Sequence, residues 1–211
     1  MIDKKTYESY LQGLLAGNSR ACLNIVDQLV DVQTPLLVLY GDLFRRSLYQ
    51  VGGLWEQNRI SVATEHLATA ITERVLAAVY PKLVATGDRS GRRALVSCGT
   101  NEHHQVGARM VADVLESVGW QVRFLGANVP AQDVLQTIDE MRPELLGLSL
   151  SMYFNMASFQ RLLAAVRHDY PDLEILIGGQ AFRWGGAEGV QKAQRVRYVD
   201  DLSALAAELK R

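Results

Sequence analysis

The sequence predicts an α/β chain: an N-terminal four-helix bundle followed by a doubly wound, five-stranded parallel sheet. Three observations predict it. Up to about residue 80, apolar positions recur at helical spacing with no strand-like run. A polar, glycine-bearing segment, Thr86-Gly87-Asp88-Arg89-Ser90-Gly91-Arg92, then interrupts the pattern. Beyond it, short β-leaning runs alternate with amphipathic stretches, as βαβ units require.

The elements follow in order. A first helix runs from about Asp3 to Ala16 and breaks at Gly17-Asn18. A second starts at Ser19 as N-cap and ends near Asp31. Thr34-Pro35 opens a third, with Pro at the first helical position, carrying Leu36, Leu39, Tyr40, Leu43, Phe44 and Leu48. Gly52-Gly53 should loosen or end it near Trp55. A fourth spans roughly Ser61 to Val79 and stops at Pro81. These four form a bundle over residues 1–85. The second domain, 91–211, carries strands near 93–98, 121–125, 145–150, 173–177 and 196–199. Its helices fall near 106–118, 130–141, 155–168, 183–193 and 201–210.

Composition bounds the function. The chain has 211 residues, 48% apolar and 21% charged, and a net charge of −1. That balance gives no electrostatic footprint for nucleic acid. No apolar run approaches the roughly 20 residues of a membrane span. Met1-Ile2-Asp3-Lys4-Lys5 lacks the apolar core of a signal peptide. A cytoplasmic protein is expected, with Cys22 and Cys98 as reduced, buried thiols.

The most informative segment is Glu102-His103-His104-Gln105-Val106-Gly107. It follows the apolar run Arg93–Cys98 and opens a helix whose apolar face holds Val106, Met110, Val111, Val114, Leu115 and Val118. Glu102, His104 and Gly107 therefore occupy a loop at the carboxyl end of a parallel strand, where open α/β sheets bind ligands. An imidazole there can coordinate a metal while a carboxylate holds its other N–H. Gly107 would admit a bulky group close to the backbone. His103 is the competing ligand, and such a triplet also arises by chance in ordinary loops.

Residues 93–199 resemble a cobalamin-binding domain of the methionine synthase type. That family carries Asp/Glu-x-His-x-x-Gly, then Ser-x-Leu/Thr, then Gly-Gly, each at a strand's carboxyl end. Glu102, His104 and Gly107 match the first motif. Ser149 matches the second, with Ser151 where Leu is usual, and Gly178-Gly179 matches the third. The resemblance implies a flavodoxin-like, cobalamin-binding sheet domain capped by the bundle. It also implies His104 as lower cobalt ligand, Glu102 as its support, and a dimethylbenzimidazole tail buried in the sheet domain. Ser97, Thr100 and Asn101 would line the tail, with Arg183 and Trp184 at its border or merely at the surface.

In the bundle, Trp55 precedes Glu65-His66 by nine intervening residues. A packed Trp at a helix end and a surface Glu-His pair is the plain structural reading. The spacing also resembles cobalamin photoreceptors of the CarH and AerR kind, as does Leu125-Gly126-Ala127-Asn128-Val129-Pro130. In that group the Trp and the Glu-His pair lie beside the adenosyl group. The resemblance implies a non-enzymatic, light-sensing regulatory protein that binds adenosylcobalamin. Breakage of the Co–C bond would alter bundle packing and association, with a second copy or a partner transcription regulator. Glu56 stands where CarH has a His that becomes a second cobalt ligand, which leaves His66 as the bundle's histidine. The chain begins almost at the bundle, so no DNA-binding domain of its own is expected. The competing readings are a corrinoid carrier for methyl transfer between methyltransferases and a cobalamin-binding subunit of an isomerase. His168, near a helix end before Asp169, reads as ordinary capping.

Overall fold

Capping chemistry sets the helix boundaries in the N-terminal part. The computed structural model describes residues 1–84, 91–184 and 195–209, in two compact units, Met1–Ala85 and Thr86–Arg211. Helix α1 (Lys4–Leu15) is capped by the Asp3 side chain, which accepts from the Thr6 N–H. Helix α2 (Ser19–Asp31) takes its cap from Asn18, one residue earlier than expected. The Asn18 side chain accepts from the Ala21 N–H, and Ser19 is the first helical residue. Pro35 likewise lies just outside its helix, at φ −60° and ψ 142°.

The third helical rod is not uniform. It begins as α3 (Leu36–Val38), widens into a π-helical segment (Leu39–Arg45), and continues as α4 (Arg46–Glu56). The π segment buries Leu39, Tyr40, Leu43 and Phe44. The Phe44 ring centroid lies 5.8 Å from that of Tyr10 and 5.9 Å from that of Tyr40. Gly52-Gly53 does not break α4, which ends one residue beyond Trp55. Helix α5 (Val62–Leu83) begins at a Ser61 cap and runs through Pro81, past the expected stop. A proline in the last turn keeps a helical φ and forfeits a single amide bond.

The second unit forms one parallel sheet in the order β2-β1-β3-β4-β5. Its strands are β1 (Arg93–Cys98), β2 (Gln121–Gly126), β3 (Leu145–Ser149), β4 (Glu174–Gly178) and β5 (Val196–Tyr198). The helices are α6 (Val106–Ser117), α7 (Ala131–Met141), α8 (Met156–Asp169) and α9 (Leu202–Leu209). The helix expected over 183–193 lies largely outside the described residues. Arg183 and Trp184 instead end a 3-10 turn, Gln180–Trp184.

Side-chain alternation along the strands builds two apolar layers. Leu95, Leu146, Leu148, Ile175 and Ile177 face one way and pack with Val134 and Ile138 of α7 and Phe159, Leu162 and Val166 of α8. Ala94, Val96, Cys98, Leu145 and Leu176 face the other way, onto Ala108, Ala112 and Leu115 of α6 and Leu205 and Leu209 of α9. Each such fully buried Leu or Ile is worth roughly 1.5–3 kcal/mol over exposure. No described helix is long and apolar enough to cross a membrane.

Candidate functional site

Strands β1 and β3 are neighbours in the sheet. The chain leaves β1 for α6 on one face and leaves β3 for α8 on the other. The gap above their carboxyl ends is thus the topological switch point, where this architecture binds ligands. The loop 99–105 and the segment 150–155 border it.

Glu102 occupies that position with no exposed surface. Its Oε1 accepts the His104 backbone N–H at 2.9 Å and lies 2.7 Å from His104 Nδ1. Its Oε2 accepts the N–H groups of Ser151 (2.8 Å) and Met152 (2.9 Å) from the β3 side. Burial alone would discourage ionisation. The hydrogen bonds from the His104 ring and from the amides of Met152, His104 and Ser151 outweigh it and hold the carboxyl below its usual range. An ionised carboxylate only accepts, so His104 Nδ1 carries a proton, and in the neutral ring the lone pair falls on Nε2. That is the arrangement of an imidazole presented to a metal by a carboxylate behind it. His104 is partly exposed, with 42% of its side chain accessible, and His103 is exposed.

Two neighbouring loops brace this one. Asn101, at φ +67°, donates its N–H to Asn128 Oδ1 at 2.9 Å and accepts from Asn155 Nδ2 at 3.0 Å through its carbonyl. Asn128 N–H donates to the Glu102 carbonyl at 2.8 Å, and Thr100 Oγ1 donates to the Val129 carbonyl at 3.1 Å. Nothing in the amino-acid pattern points to Met152 or Asn155. A backbone N–H has no residue signature, and Asn155 reads only as the start of a helix. Asn128 falls in the Leu125–Pro130 stretch, whose resemblance implies no role for it.

The expected glycines separate by physical cause. A Cβ on Gly107 would meet nothing within 4 Å, so the space over the first turn of α6 is open. On Gly179, at φ +114°, a Cβ would sit 2.1 Å from the Leu150 carbonyl oxygen, so packing alone demands glycine there. On Gly178 it would come within 3.1 Å of the Val199 carbonyl oxygen. Ser149 is buried at the end of β3, in register with Cys98 and Gly178. Ser151 contributes its backbone N–H to Glu102. Ser97 is buried with its hydroxyl on the Cys98 carbonyl. Arg183 is exposed, and the Trp184 side chain lies outside the described residues. Cys98 Sγ sits 3.7 Å from the His104 carbonyl oxygen, and burial pushes its thiol up to about 12. His168 is exposed and pairs with Asp169 at 2.8 Å.

In the bundle unit, Trp55 lies in the last turn of α4 and is 39% exposed. Glu65 and His66 lie in the first turn of α5, across the connection 57–61. Glu65 Oε2 is 2.6 Å from His66 Nδ1, and Glu65 Oε1 accepts the Thr69 hydroxyl at 3.1 Å. The carboxylate is thus fixed by both of its oxygens.

The sequence profile of a B12 binding domain matches residues 92–203, and a second B12 binding domain profile matches residues 6–80. The HTH-type transcriptional repressor CarH of Myxococcus xanthus is 28% identical over 177 residues, 83% of this chain and 58% of that protein. The HTH-type transcriptional repressor CarA of the same organism is 31% identical over 154 residues, 72% of this chain and 51% of that protein. The chain therefore spans little more than half the length of these curated relatives. The solved monomethylamine corrinoid protein of Methanosarcina barkeri superposes with a TM-score of 0.85 over 99% of both chains at 14% identity, a likeness of fold.

Proposed function

This chain belongs to the B12 binding domain family, and from that premise we propose that it is a light-sensing regulatory protein whose cofactor is adenosylcobalamin. Cobalamin binding follows from the family. The adenosyl form, the light response and the residue roles are our reading.

The donor set fits the cofactor. His104 would hold the cobalt through Nε2. Glu102 keeps its ring oriented, and Gly107 leaves room for the macrocycle beside α6. Ser149, Ser151, Gly178 and Gly179 border the proposed tail-binding region at the ends of β3 and β4. The cofactor supplies a cobalt–carbon bond that green light breaks. The observation that carries the adenosyl reading is the Glu65 carboxylate, held by His66 and Thr69 at the start of α5, with Trp55 39% exposed at the end of the preceding helix. An aromatic face suits the adenine ring, and a fixed carboxylate suits ribose hydroxyls. Such contacts exist in one ligand state and not the other, which a switch requires. Glu56 offers no imidazole, which leaves His66 as the one histidine of residues 1–85.

The test is reconstitution with adenosylcobalamin and methylcobalamin separately, with visible spectra and light-scattering mass before and after green light. Preference for the adenosyl form, lost in Trp55→Ala, and a change of mass or of regulator binding on illumination are expected. Equal affinity for both forms, or no change after confirmed bond breakage, overturns the reading in favour of a corrinoid methyl carrier.

A further inference from the structure

We propose that Asn128 and Asn155 are positioning residues for the cobalt-binding histidine, acting as a two-sided clamp on the Asn101 peptide groups. The inference rests on the reading of His104 as ligand. It concerns two side chains from two other loops that touch neither His104 nor a metal.

The first observation is the geometry of Asn101. Its backbone is left-handed, φ +67°, a conformation that Asn tolerates but does not strongly prefer. Something must hold it, and both of its polar groups are held by amide side chains. The Asn101 N–H goes to Asn128 Oδ1 at 2.9 Å, and its carbonyl accepts Asn155 Nδ2 at 3.0 Å. The partners fix the amide orientations: an N–H needs the side-chain oxygen and a carbonyl needs the nitrogen. Glu102 and His104 follow directly, and the Glu102 carbonyl is held in turn by the Asn128 N–H at 2.8 Å.

The second observation is what Asn155 forgoes. It precedes α8 in the N-cap position, where Asn ordinarily accepts an amide of the first turn. Here it makes no side-chain cap bond. It is 6% exposed and reaches instead across 54 residues of sequence to the β1 loop. With the two amides of Ser151 and Met152 on Glu102 Oε2, that makes three hydrogen bonds joining the β3 and β1 segments around the imidazole. The clamp fixes the turn, the turn fixes Glu102, and Glu102 fixes the His104 ring.

The two asparagines use opposite ends of the same amide, so each is tested by removing the end it uses. Asn128→Gly removes the acceptor that the Asn101 N–H needs and tolerates the positive φ of 52°. Asn155→Asp replaces a donor with an oxygen facing the Asn101 carbonyl, and α8 loses no cap bond because the Asn155 side chain makes none. Full-chain variants are compared for cobalamin affinity, for the visible spectrum of the bound cofactor, and for amide hydrogen exchange without cofactor, with His104→Ala as reference. Asn155→Asp should bind about tenfold more weakly and shift its spectrum toward that of His104→Ala, in the range typical of groups behind a metal ligand. Exchange should quicken at Asn101, His104, Ser151 and Met152 but not in β4. Asn128→Gly should weaken binding in the same range, and parent-like affinity and exchange in that variant overturn the role of Asn128. Parent-like affinity, spectrum and exchange in Asn155→Asp, with His104→Ala clearly altered, overturns the clamp and leaves the ligand assignment standing. A parent-like spectrum in His104→Ala overturns both.

Discussion

Replacing Glu102 by Gln tests the site before any cofactor is added. The Glu102 carboxylate accepts two donors on each oxygen, the His104 N–H and Nδ1 on one, the Ser151 and Met152 N–H groups on the other. A glutamine has one oxygen, so its NH2 must face one of these donor pairs. Two buried bonds to a charged acceptor are lost, each worth about 1.5–3 kcal/mol, which gives about 3–6 kcal/mol before relaxation. Against a domain stability of about 5–15 kcal/mol, the apo-protein should melt roughly 10–20 °C lower. The pH dependence has a definite sign. The folded-state value of Glu102 lies below the ordinary 4.5, so its stabilisation is present above that value and is lost as the pH falls through the folded value. Circular-dichroism melts of parent and variant at pH 7 and at progressively lower pH are the assay, and the gap should shrink below pH 4.5. A variant melting within about 2 °C of the parent at pH 7, or a gap unchanged on acidification, would refute the reasoning.

Further outcomes follow from other positions. Gly179→Ala should lower the melting temperature sharply or prevent folding, because its Cβ would overlap the Leu150 carbonyl at positive φ. Gly107→Ala should melt at or slightly above the parent temperature, since the space is open and Ala favours a helix by up to about 1 kcal/mol. Its cobalamin affinity should nonetheless fall, and unchanged affinity by titration would argue against close approach of the macrocycle there. Cys22 and Cys98, both fully buried with thiols pushed up to about 11 and about 12 by burial, should resist thiol reagents at pH 8 until the protein is unfolded. Labelling of the folded protein in minutes would contradict that.

Much of this protein is written locally and is legible as such. Hydrophobic periodicity alone marks β1 at Arg93–Cys98 and the start of α6 at Val106, because strand and helix bury side chains at different repeats. Spacing alone brings Glu102 and His104 to one strand end, since two residues in a loop cannot separate. Local chemistry misleads where the neighbourhood offers choices. Asn18 displaces Ser19 as a cap, Pro81 stays inside α5, and the π segment over Leu39–Arg45 leaves no mark in the apolar pattern. At Gly179 the sequence shows a glycine but not its packing reason, the Leu150 carbonyl 29 positions earlier that leaves no room for a side chain. Above all, the sequence named the carboxylate but not what keeps it charged. Ser151 and Met152 come from another loop, and both donate backbone N–H groups, which every residue but proline possesses. Only the folding of β3 beside β1 brings the Ser151 and Met152 amides to the Glu102 carboxylate, where removal from water makes each of them count.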